Sequence, residues 1–335
     1  MGNAVAGMDS DLPKRLFEEG AEPLGDKINK CARMSILKVL ANNIASEYAE
    51  VKRDPLFANI MAIHENRLHF SAKMVHSFLT RQLVTAKKHE LWFVFARRPL
   101  RFSLQEFHAV TGLKCIDDGN SDLNNWVDDG GFWSRLLKSR GKISLEMIRK
   151  KHIKEANKWT RLDRLRLVYF CVAGLLMAVD EKTWVSHDYI KLIMDFDKLR
   201  AYPWGLRCFD HLVKGVIKAR SELSNPISYV LEGFAYALQI WIMEAIPDCG
   251  ILLGKKLNAA DHIFPRCANW SGAARAGFVE IINLENAVLK TGLVYCYISS
   301  AGNMDVIDSA EFTWNDEMRD ERVDMMKELI GSNYD

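Results

Sequence analysis

Apolar residues recur at helical spacing along most of the chain. Ile28, Cys31, Ile36, Leu37, Leu40 and Ile44 predict a first amphipathic helix, with Asp26 placed to cap it, and Met74, Val75, Phe78, Leu79 and Leu83 predict a second. Leu91 to Phe95 breaks the pattern, being wholly apolar and rich in aromatics. With Leu100 to Phe102, beyond Arg97, Arg98 and Pro99, it reads as two short strands around a turn. Ser103 then opens a helix. Glu106 stands three residues on, at capping-box spacing, and Gly112 falls where a left-handed residue would close the helix, so Leu104, Phe107, Val110 and Leu113 form its buried side.

Leu165 to Val179, Tyr189 to Leu199, Arg207 to Ile217 and Tyr229 to Ile246 carry further helical patterns. The turn Tyr202-Pro203-Trp204-Gly205 leads into the third, and Pro247 stops the fourth. Leu293 to Ile298 is β-prone, and Asn315 to Ile330 reads as a last amphipathic, charged helix. The fold class is therefore mainly α, a compact helical domain with a small β-hairpin element and a few short C-terminal strands. Residues 1–25 lack periodicity and read as a flexible lead-in, 26–250 as the helical domain, and 251–335 as an extension packed on it or partly flexible. The two longest apolar stretches, Leu167 to Val179 and Phe234 to Ile246, are thirteen residues each. A membrane span needs about twenty, so they read as core helices and no membrane partner is expected.

Composition supports a folded chain. Of 335 residues 49% are hydrophobic, with nine Trp and sixteen Phe, enough to bury a sizeable core. The seven cysteines are odd in number, scattered and without a CxxC pair, which points to reduced, mainly buried thiols in a cytoplasmic or nuclear compartment. The opening MGNAVAG has the Gly2 of an acylation signal, but Ala6 stands where that signal takes Ser or Thr.

Charge is unevenly distributed. Between Arg135 and Arg166 twelve Lys or Arg face only Glu146, Glu155 and Asp163, on a chain whose net charge is +2. The preceding stretch, 115–131, reads as an exposed acidic loop. Arg149, Lys150, Lys151, Lys154 and Lys158, with Trp159 close by, would line one helix and meet nucleic-acid phosphates; a solvated helix face explains the same residues. Arg149 to Lys151 would equally serve as a weak nuclear-import patch.

Motifs of known chemistry fail on spacing. His64, Glu65 and His69 imitate a zinc helix, but the second histidine falls at i+5 where one ion needs i+4. Asp118, Asn120, Asp122 and Asp129 imitate a calcium loop, with Leu123 where the sharp turn takes Gly. Gly250, Gly254, Lys255 and Lys256 imitate a phosphate loop one spacer residue short. The pairs Asp195/Asp197 and Asp128/Asp129 read as caps or loop charges. No catalytic, cofactor-binding or metal residue is assigned on this basis.

The stretches FSAKMVHSFLTRQL, ELWFVFARRPLRFSLQEFHAVTGLKC, DYIKLIMDFDKLRAYPWGLRCFDHLVKGV and LEGFAYALQIWIMEAIP carry a family resemblance. Over residues 30–250 the chain resembles the plant domain of unknown function found ahead of SUMO-protease-like (Ulp-type) cysteine peptidases in transposon-derived, Mutator-like proteins, and related to the plant mobile domain. The resemblance implies mobile-element ancestry and a nuclear setting, and it brings no catalytic residues. The matching positions, Phe102, Ser103, Glu106, Phe107, Thr111, Gly112, Tyr202, Pro203, Trp204 and Gly205, read as structural on their own chemistry. Ending at Asp335, the chain is expected to lack the peptidase domain of longer members. The expectation is a non-enzymatic interaction module, without cofactor, that recognises a protein or chromatin partner. Nucleic-acid binding through 135–166 is the alternative, and an enzyme of unassigned class the third reading.

Overall fold

The structure, a computed structural model, describes residues 13–25, 28–30, 33–119, 123–177, 180–225, 227–258 and 264–332. Gly2 and Ala6, the Asp26 cap, Cys31, Asn120, Asp122 and Val179 lie outside the described residues. The chain is mainly α. After β1 (Ile28–Lys30) come α1 (Ser35–Asn43), α2 (Ala45–Val51), α3 (Ala58–Glu65) and α4 (Ala72–Thr80). A three-stranded antiparallel sheet follows, β2 (Gln82–Leu83), β3 (Leu91–Phe95) and β4 (Arg98–Phe102), ordered β2-β3-β4, and then α5 (Leu104–Thr111).

β3 is apolar at every position because it is covered on both sides. Phe93 and Phe95 enter the main core, whereas Trp92 and Val94 point to a second cluster closed by Val323, Met326 and Ile330. The two-residue turn joining β3 to β4 is Ala96-Arg97, both at positive φ (49° and 59°), the geometry that matches the strand twist. Arg98 and Pro99, expected in the turn, belong to β4.

The second half holds α6 (Phe132–Lys138), α7 (Leu145–Met147), α8 (Ile153–Glu155), α9 (Arg161–Met177), α10 (His187–Met194), α11 (Phe196–Ala201) and α12 (Trp204–Ala219). Then come β5 (Tyr229–Leu231), α13 (Ala235–Ala245), α14 (Pro247–Leu253), β6 (Lys255–Lys256), β7 (Trp270–Ser271), α15 (Phe278–Thr291) and α16 (Glu321–Ser332). Every residue of α13 is buried, and α9 is buried from Leu165 to Leu176, so both lack a polar stripe. They are the two long apolar stretches of the sequence. Among the described residues no single helix is long and apolar enough to cross a membrane.

Several boundaries differ from the periodicity, each through a distant partner. Ile28 sits in a strand, since β1 pairs in parallel with β5, about two hundred residues on. The helix expected from Tyr229 therefore starts only at Ala235, after Gly233 turns the chain at φ +82° with its Cα against the Leu212 backbone. Asp195 splits the helix expected over Tyr189 to Leu199 by capping α11 through the amides of Asp197 and Lys198. Pro247 ends α13 but opens α14.

The 293–298 segment is not a strand beyond one isolated bridge, Ile298 to Asn303. Its backbone is taken by Ala245 O, which accepts from Tyr295, and by Arg101, which donates to Cys296 O. α16 begins at Glu321, not Asn315, because Glu317 and Asp320 accept from the amides of Ala86, Lys88 and His89. The described part of the expected lead-in, 13–25, is held too: Leu16 N–H and Lys14 O pair with Gln82 and Val84 along the open edge of β2.

Candidate functional site

Within the basic segment, residues 145–158 fold as one continuous helical stretch with uneven winding. Ser144 caps it by accepting from the Met147 amide. Its buried positions, Ile148, Ile153 and Ala156, include a five-residue step that an α-helix cannot keep on one face. A π-turn over Ile148–His152 absorbs the extra residue: the Ile153 amide reaches back to Ile148 O, five positions away, and Ile153 returns to the core. That turn carries Arg149, Lys150 and Lys151 around the outside.

Half of the twelve cations in 135–166 are neutralised. Lys138 pairs with Asp128, Arg149 with Glu181 at 2.5 Å, Lys150 with Glu146 at 2.9 Å, Arg161 with Glu50, Arg164 with Glu47 at 2.8 Å, and Arg166 with Asp129 and Asp163. The other six, Arg135, Arg140, Lys142, Lys151, Lys154 and Lys158, make no ion pair among the described residues. Arg149 is therefore a structural residue and Lys150 is shared. Lys151, Lys154 and Lys158 remain exposed. Trp159 lies flat on Phe132, ring centroids 4.0 Å apart, which takes up one face of its indole.

A second basic group sits on the helix that packs against α8. α1 contacts α8 directly, and at its start Arg33 and Lys38 join Arg67, His64 and His69 around a cavity of about 370 Å³ that no carboxylate lines. Burial first, and the neighbouring Lys38 charge, hold the His64 imidazole below its ordinary range, while Glu65 pulls it the other way. Glu65 is itself occupied by Tyr48 at 2.7 Å and Lys52 at 2.8 Å. The two histidines weighed as zinc ligands thus line an electropositive basin. Local spacing held no sign of it, since Arg33, Lys38 and Arg67 meet only through tertiary packing.

The resemblance-bearing positions hold structure. Ser103 and Glu106 form the capping box, with the Ser103 amide donating to Glu106 at 2.8 Å, and buried Arg101 pairs with Glu106 at 2.9 Å. Phe102 and Phe107 pack on Phe209. Thr111 donates to Phe107 O, and Gly112 takes φ +69° beside the Pro265 ring. Trp204 donates to Leu199 O and meets Tyr202 edge-on at 4.8 Å, with Pro203 buried between them. The two motifs touch: the Gly205 amide donates to Lys114 O at 2.7 Å, so close that a Cβ there would lie 2.6 Å from Leu113 O.

At the same junction the described residues bring together His108, Cys115 and Glu311, whose donor atoms lie within 4.8 Å of one another. The Cys115 thiol is pushed up by burial and by the Glu311 charge, and burial likewise raises Cys171, Cys208 and Cys249 and pushes Cys267 up to about 12. None of these thiols is a ready nucleophile at neutral pH. The calcium-like carboxylates diverge, Asp118 to Lys114 and Asp129 to Arg166. Gly250 lies within α14, and Gly254 closes it ahead of β6, where Lys255 and Lys256 pair with β7 in place of a phosphate loop.

The site and fold thus define a helical domain with a hairpin insert, a basic face and buried thiols. Residues 79–215, from the end of α4 into α12, match the family model described as a domain of unknown function, DUF1985. No curated protein and no solved structure matches the chain.

Proposed function

We propose that the protein is a non-enzymatic interaction module that engages the phosphate backbone of nucleic acid, free or in chromatin, through Lys151, Lys154 and Lys158 with Arg33, Lys38 and Arg67. The observation that carries this is the pairing pattern. Of the six lysines in the segment Lys138 and Lys150 pair with carboxylates, whereas Lys151, Lys154 and Lys158 make no ion pair among the described residues, and α8, which carries Lys154, packs against α1, which carries Lys38 of the second basic group. A row of unneutralised cations binds phosphates by releasing counterions and needs no base contact. Mobile-element ancestry and a nuclear location, which the family resemblance implies, fit a ligand of this charge.

The test is binding of the full chain to random-sequence double- and single-stranded DNA by fluorescence anisotropy, beside Lys151→Gln/Lys154→Gln/Lys158→Gln. All three side chains are exposed, so the variant keeps the fold. The expected result is a loss of affinity of at least about tenfold near 50 mM salt. Equal binding by the two proteins would move the interface elsewhere and sink this assignment.

A further inference from the structure

We infer that His108, Cys115 and Glu311 form a zinc site that fastens the C-terminal segment to the junction of the two motifs. The three side chains come from the last turn of α5, the loop after it and the short 3-10 turn Ala310–Phe312, and they supply the imidazole, thiolate and carboxylate donors that zinc accepts together. Their donor atoms lie within 4.8 Å of one another, against about 3.5 Å between ligands around a tetrahedral zinc. Rotation of the half-buried His108 and Glu311 side chains closes that gap.

The surroundings suit an ion. His108 Nδ1 lies 3.8 Å from Cys115 Sγ and 3.0 Å from Leu113 O, so the thiol already sits on the Nδ1 side of the imidazole. Phe264 and Phe312 wall the ring at 5.1 and 5.5 Å. Charge also balances: a divalent cation, one thiolate and one carboxylate sum to zero in a site that is otherwise costly to charge. Among the described residues the Glu311 carboxylate is in no ion pair, whereas Asp117 and Asp118 on the loop after α5 are each paired. Binding breaks the Cys115 S–H bond, forms a Zn–S bond and releases the proton to solvent, one per ion. Three protein ligands leave a fourth position for water.

The experiment titrates the metal-stripped full chain with Co²⁺ and then Zn²⁺, following the sulfur-to-cobalt charge-transfer band, with thermal unfolding in parallel. The expected result is one Co²⁺ per chain, a charge-transfer band absent in Cys115→Ser, at least tenfold weaker binding in Glu311→Gln, displacement by Zn²⁺, and a Zn²⁺-dependent rise in Tm. Glu311 lies on a surface turn, so its variant remains folded and separates lost binding from lost structure. Absence of the band in the folded wild-type chain, or a band that survives both substitutions, overturns the site.

Discussion

Arg101 and Glu106 are among the most consequential residues of the hairpin-helix unit. Both side chains are nearly excluded from solvent, Glu106 accepts from Ser103 as well, and the Arg101 guanidinium lies 4.8 Å over the Tyr297 ring. Removing one partner strands the other charge in the core, so Glu106→Ala is expected to lower stability by about 3–5 kcal/mol in urea unfolding, far more than a lost surface pair. A loss under about 1 kcal/mol would mean that Arg101 finds water.

Titration acts at the same scale. Burial holds His64, His76, His152 and His211 below the ordinary imidazole range. For His76 burial outweighs the upward pull of Pro23 O, 2.7 Å from Nε2, and the ring also meets the Gly25 amide at 2.9 Å and the Tyr229 hydroxyl, 3.0 Å from Nδ1. A depressed histidine means that the unfolded chain binds more protons, so its contribution is whole above about pH 6.5 and is lost as pH falls toward the folded values. For Asp129 burial pushes up, but hydrogen bonds from Ser134 and Arg166 win and hold it at about 2, so its contribution is lost further down, between about pH 4 and 2. The urea midpoint should therefore fall between about pH 7.5 and 5, with a flatter profile in His76→Gln. A midpoint that rises on acidification would contradict the histidine assignment.

At the scale of elements, what was legible is what local rules decide. The capping box, the Gly112 close and the strand pair are where the sequence places them, because Ser103, Glu106 and the apolar run act over a few residues. What was not legible depends on partners far along the chain. Strand β1 exists because β5 accepts it, 293–298 stays irregular because Ala245 and Arg101 take its backbone, and 315–320 cannot be helix while Glu317 and Asp320 cap the 86–89 loop. The π-turn is an intermediate case: the five-residue step from Ile148 to Ile153 is visible in the sequence, but only the core says that both must be buried. The junction of the two motifs gives a test. A Cβ at Gly205 meets Leu113 O at 2.6 Å and Cys115 Sγ at 2.7 Å, whereas one at Gly302 meets nothing within 4 Å. Gly205→Ala should cost about 1–3 kcal/mol by differential scanning calorimetry, and Gly302→Ala little.

Over the whole molecule, the C-terminal extension is structural, since its Val323, Met326 and Ile330 cover the outer face of the hairpin and Lys327 pairs with Glu90. Met326→Ala opens a fully buried site there and is expected to cost about 2–5 kcal/mol, read as a lower urea midpoint. The candidate interface was half legible. The basic run was plain in the sequence, but Arg149, Lys150 and Trp159 were drawn into it by proximity, and the structure assigns them to an ion pair, a shared pair and an aromatic stack. Arg33 and Lys38 at the start of α1 and Arg67 after α3 come from two separate stretches and had no common signal.

The most direct measurement is the salt dependence of DNA binding by the intact chain. With about six phosphates engaged, affinity should fall by roughly a thousandfold between about 50 and 200 mM salt, and each of Lys151, Lys154 and Lys158 changed to Gln should lower the log-log slope by about one. Affinity that is flat with salt, or no binding at low salt, would contradict a phosphate-binding face and leave a protein partner as the ligand.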